Sequence, residues 1–102
     1  MENPTWRLAP IVARLFEIGV DDSLPTRSRE AAMERARQLR AQLVALLERR
    51  TTVANADYFA ALEAMAVVRA MLESADSSPA LIPDALQRAG DLASTLERLL
   101  EV

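Results

Sequence analysis

Histidine, cysteine and lysine do not occur among the 102 residues. Their absence removes the usual general base, the thiolate nucleophile, the Schiff-base amine and the usual nitrogen or sulfur metal ligands. Glycine occurs twice, so no glycine-rich loop is available to cradle phosphate. Four aromatic residues offer little for stacking on nucleic-acid bases. The longest uninterrupted apolar runs, Ala64 to Val68 among them, are far shorter than the roughly 20 residues needed to cross a bilayer. "MENPTW" shows no basic segment followed by an apolar one, so no secretory signal is read there. The expectation is a cytoplasmic protein with no catalytic, cofactor-binding or metal-binding residues, and not an enzyme.

What remains is helix-forming. Alanine, leucine, glutamate and arginine dominate, while β-branched residues are sparse. All twelve basic residues are arginine, which fits coding from a GC-rich, bacterial genome. The net charge of −3 is unevenly spread. Between Arg27 and Arg50 seven arginines stand against three glutamates, a balance of +4, so the rest of the chain carries −7.

The spacing predicts an all-α fold in one domain, 1–102: a small antiparallel bundle of four helices built around a long helical hairpin. Helix one is expected over 10–18, with Pro10 at a first helical position and Gly19 ending it in a left-handed conformation. A start near Pro4, kinked at Pro10, is the alternative. Helix two is expected over 28–50, with Ser28 the preferred cap and Thr26 next. Its apolar positions Ala32, Ala36, Leu39, Leu43 and Leu46 step by four and three, like a coiled-coil seam. Asn55 is a plausible cap for helix three, expected over 56–74. Helix four is expected over 83–100.

In helix three, "YFAALEAMAVVRAML" has thirteen apolar residues of fifteen, and on a helical projection they nearly encircle the axis. A helix apolar all round is expected to be buried all round. Four helices of this length cannot easily cover every side of one member, so either helix one lies across it or a second chain does, and a companion is the expectation. With short links, helices two and three are read as the antiparallel hairpin.

Arg35 and Arg37 flank the seam of helix two, and Arg49 points away from it. Arg40 falls inside the apolar arc, as Arg69 does in helix three. An unpaired guanidinium cannot be buried cheaply, so each needs a carboxylate or an interface. Glu63 is the acid expected near Arg40, and Glu73 lies one turn beyond Arg69.

The functional expectation is a non-catalytic protein–protein interaction module, such as an adaptor, chaperone-like or accessory subunit of a bacterial assembly. Its partner would be a second copy or another helical protein. Trp6, Phe16, Arg35, Arg37, Arg40, Tyr58, Phe59 and Arg69 are the candidate contact residues. The alternative is a helical subunit of a nucleoprotein complex, contacting nucleic acid through the helix-two arginines. If Arg40 is buried against a carboxylate, Arg40→Ala costs several kcal/mol in a denaturation experiment; a loss below about 0.5 kcal/mol identifies an exposed side chain.

Overall fold

The computed structural model describes residues 5–49 and 55–101. Four α-helices account for nearly all of them: α1 (Thr5–Gly19), α2 (Thr26–Leu47), α3 (Ala56–Ser77) and α4 (Ile82–Leu100). A 3-10 turn, Pro79–Leu81, precedes α4. No strand occurs among the described residues.

Helix α1 takes the longer of the two starts weighed for it. Pro10 lies inside it, and Pro4 falls outside the described residues. Running the helix back to Thr5 buries Leu8 completely, and burial of a leucine side chain is worth about 2 kcal/mol. The proline forfeits only the bond to the Trp6 carbonyl, in the first turns of the helix. Ile11, Val12, Leu15 and Ile18 complete the buried stripe, while Phe16 is half-buried at its edge.

Gly19 is not left-handed: no glycine among the described residues has a positive φ. It instead faces Met33 of α2: a Cβ there would lie 2.8 Å from the Met33 Cε, the movable end of that side chain, and in ordinary contact beyond it.

Helix α2 starts earlier than expected, at Thr26, and neither Ser28 nor Thr26 caps it. The cap position is Pro25, which makes no side-chain capping bond. The preceding connection is held instead by Asp21, whose carboxylate accepts from the Ser23 hydroxyl at 2.6 Å and from the Ser23 backbone N–H at 3.0 Å. These two bonds lower its pKa below the ordinary carboxylate value. The turn's contribution is therefore present above that ordinary value and lost as pH falls through the lowered one. At the other end α2 stops at Leu47, short of residue 50.

The Asn55 side chain accepts from the Tyr58 N–H at 2.9 Å, capping α3 as expected. Helix α3 runs on past residue 74 to Ser77, which buries Ala75, and Pro79 then prevents continuation. Pro83 occupies the first turn of α4, where no donor is needed. Leu92, Leu96 and Leu99 are its most deeply buried leucines.

The largest departure is topological. Helices α2 and α3 do not touch; the seams that form are α1–α2, α3–α4, α2–α4 and α1–α3. The molecule is thus two hairpins laid side by side. Gln42 Nε2 donates to the Ala93 carbonyl at 2.8 Å, and Arg49 donates to the Leu100 carbonyl further along, so α2 and α4 run parallel. Arg14 bridges to Asp76, and Trp6 lies near Leu62, so α1 and α3 run parallel too. Helices α2 and α3 occupy opposite corners of the bundle. A short link does not enforce adjacency here: eight residues, 48–55, can span about 26 Å, well beyond a bundle diagonal of about 14 Å.

Helix α3 is also not buried all round. Tyr58, Ala61, Met65, Val68, Leu72 and Ala75 form one buried stripe, and Phe59, Ala60, Ala66, Val67 and Ala70 on other flanks are exposed. Alanine explains most of the misreading: it scores as apolar but exposes so little surface that water is tolerated, and it is the best helix former. Phe59 and Val67 are the large apolar side chains that α3 leaves exposed, so its circumference as a whole does not demand a companion.

These packing assignments rank two substitutions. Leu96→Ala opens a cavity in the fully buried layer and should cost about 2–5 kcal/mol in chemical denaturation, whereas Asn55→Ala removes one cap and should cost about 1 kcal/mol. Equal losses would contradict the assigned core.

Candidate functional site

The eight residues singled out by sequence do not form one surface. Tyr58 is buried, with its ring 5.3 Å from that of Phe59 in an edge-on arrangement, and Phe59 is exposed. Arg40 is exposed and does not reach Glu63, which sits on the diagonal helix α3; its guanidinium lies 5.4 Å over the Phe16 ring. Arg35 lies on the α4 side of α2, donating to Gln38 Oε1 at 2.9 Å and resting 3.0 Å from where a Gly90 Cβ would be. Arg37 is exposed. Arg69 pairs with Glu73 at 3.3 Å, with both side chains more than half exposed. The desolvation cost expected for Arg40 and Arg69 does not arise, because both guanidiniums reach solvent. Arg49, read as pointing away, instead curls back onto α4 through the Leu100 carbonyl.

Trp6 and Arg69 do come together, in the groove between α1 and α3. This is the loosest of the four seams. At one end Trp6, Leu62, Met65, Ala66, Ala70 and Arg69 surround a concavity of about 340 Å³. It continues toward Ile11, Leu72 and Asp76 as a second concavity of about 180 Å³, with Arg69 and Glu73 common to both. Trp6 is 54% exposed, and the Arg7 guanidinium stacks 4.7 Å over its ring. Arg14 closes the far end, bonded to Asp76 and, at 3.1 Å, to Glu17.

Leu62, Met65, Ala66, Ala70 and Glu73 were not anticipated as contact residues. The only signal in the sequence is the small pair Ala66 and Ala70 one turn apart, which cannot be read until α1 is known to lie beside α3. The groove's chemistry is apolar with charged rims. Among the described residues no cluster of acidic side chains is able to hold a metal ion, and no helix is long and apolar enough to cross a membrane.

The helix-two arginines also diverge. Arg29 turns back to Asp22 at 3.6 Å, Arg35 and Arg49 go to the α4 side, and Arg40 goes to α1. Comparison with protein-family models, with curated proteins and with solved structures finds no match.

The exposed stacking of Arg40 sets its energetic weight. Arg40→Ala should cost about 0.5–1 kcal/mol, the range for a surface cation–π contact. A loss of several kcal/mol in urea denaturation would show that its charge is buried after all.

Proposed function

We propose that this protein is a non-catalytic interaction module, an adaptor or accessory subunit, that takes an amphipathic helix of a partner protein into the α1–α3 groove. The observation that carries the reading is the open seam itself. Of the four helix pairs α1 and α3 make the loosest seam, and the two adjoining concavities along it carry a half-exposed tryptophan at the rim. The hollows on the α2–α4 and α3–α4 sides, by contrast, are lined by no aromatic side chain. A helix laid there would cover Trp6, Ala66, Ala70 and the partly exposed Leu62, while Met65 and Leu72 lie beneath in the core. Ala66 and Ala70 permit close backbone approach. Tryptophan and arginine, the residues bordering the trough, are those most enriched at binding hot spots.

The rim charges are largely matched among themselves, Glu17 and Asp76 with Arg14 and Glu73 with Arg69, which leaves Arg7 beside Trp6 as the charge offered to a guest. The nucleic-acid alternative gains no support from the placement of the helix-two arginines, whose guanidiniums point in different directions.

Two measurements test the reading. Ala66→Glu places a carboxylate in the trough at an exposed helix position, so the fold should survive. Co-purification from the native host should recover a stoichiometric protein partner with the unaltered chain and lose it with Ala66→Glu. Trp6 is the only tryptophan, so its fluorescence should shift to the blue when that partner is added. Retention of the partner by Ala66→Glu, with unchanged Trp6 emission, contradicts the groove assignment.

A further inference from the structure

The groove between α1 and α3 has a direction, because its two walls run the same way. Its Trp6 end holds the start of α1, and its Asp76 end lies toward the close of both helices, at Gly19 and Ser77. A helix carries a partial positive charge at its N-terminus and a partial negative one at its C-terminus. Side chains do not cancel these poles. Helix α1 has no acidic residue in its first turn, and neither α1 nor α3 has a basic residue in its last.

The rim side chains point the same way. At the Asp76 end a single guanidinium, that of Arg14, serves both Glu17 and Asp76, which leaves a carboxylate in excess. Between the two ends Arg69 and Glu73 cancel. At the Trp6 end the Arg7 guanidinium stacks 4.7 Å over the indole and, among the described residues, is in no ion pair. Stacking uses the flat face of a guanidinium and leaves its N–H edge free to donate.

We infer that the guest helix lies antiparallel to α1 and α3, and that its last turn carries an acidic side chain beside Arg7. The inference rests on the groove being the docking site and adds the direction and chemistry of what docks. In this direction the guest's terminal carbonyls and its carboxylate meet Arg7 and the first turn of α1, while its N-terminal N–H groups meet the surplus carboxylate. The reverse direction sets like pole against like at both ends. A contact of the same kind already closes α4, where Arg49 of the neighbouring helix α2 donates to the Leu100 carbonyl.

An acidic last turn weakens a helix that stands alone, because it lies at the negative pole. The guest is therefore a segment that gains helix on docking, unlike the ordinary surface helix with an acidic start and a basic end.

The test uses displayed peptides of about 18 residues, a helix of about 27 Å, free of tryptophan, with a fixed apolar stripe and randomised first and last turns. They are selected on the full chain and counter-selected on Ala66→Glu. Enriched peptides should carry Asp or Glu in the last turn and gain helicity by circular dichroism on binding. Arg7→Glu should weaken them about tenfold, since attraction becomes repulsion; Arg7 is exposed, and a thermal melt checks that the variant is folded. Trp6 is the only tryptophan, so the chain has one indole N–H resonance. A nitroxide at the C-terminal end of an enriched peptide should broaden that resonance more than the Leu72 methyls, and one at the N-terminal end should do the reverse. If no peptide distinguishes the unaltered chain from Ala66→Glu, the groove reading falls and this inference with it. Groove-dependent peptides that lack an acidic last turn, that lie in the opposite direction, or that bind Arg7→Glu as tightly leave the groove standing and overturn this inference alone.

Discussion

Burial of the α4 stripe between α2 and α3 holds the two hairpins together. Helix α4 contributes Ala85, Leu86, Ala89, Leu92, Ala93, Leu96 and Leu99 to the core, and most are fully enclosed. Alternating leucine and alanine lets neighbouring helices approach at small residues while leucines fill the space between. Because α4 already occupies the seam between α2 and α3, those two helices stand at opposite corners. Everything proposed about function follows from that placement: α1 is left to close against α3 with only part of its length.

Electrostatics reinforces this division without supplying much of the adhesion. The first hairpin, residues 5–49, carries eight arginines and six carboxylates; the second, residues 55–101, carries three arginines and eight carboxylates. The hairpins are thus of opposite net sign, yet among the described residues the one ion pair that crosses between them is Arg14–Asp76. That pair sits at the α1–α3 seam, with Arg14 only partly shielded and Asp76 more than half exposed. Surface pairs of this kind contribute little beyond orientation. Apolar burial holds the bundle, and the charge difference gives its surface a direction that a partner can sense.

Much of the architecture was legible in the sequence because it rests on local rules. The four helices, the Asn55 cap and the apolar stripes of α1, α2 and α4 all follow from spacing and cap chemistry, which act within a few residues. Failures came where a non-local fact decided. Gly19 reads equally well as a left-handed terminus or as a contact point, and only the arrival of Met33 distinguishes them. Helix α3 reads as buried on every side when alanine is counted as fully apolar; weighing residues by the area they expose reduces it to a single stripe. Arg40 and Arg69 lie inside apolar arcs on a projection, but the neighbours assumed to enclose them are elsewhere. The candidate groove was legible only as isolated residues, Trp6 and Arg69, because its walls are contributed by helices more than 40 positions apart.

The arrangement of the helices is the claim on which the groove stands, and through-space contacts between methyl groups in solution test it most directly. A methyl nuclear Overhauser map should connect Leu39 and Leu46 of α2 with the leucines of α4, and Ile11 of α1 with Leu72 of α3. It should contain no contact between α2 and α3. A ladder of contacts between Val44 and Leu62, extending along both helices, would establish α2 and α3 as neighbours and remove the groove and the functional reading together.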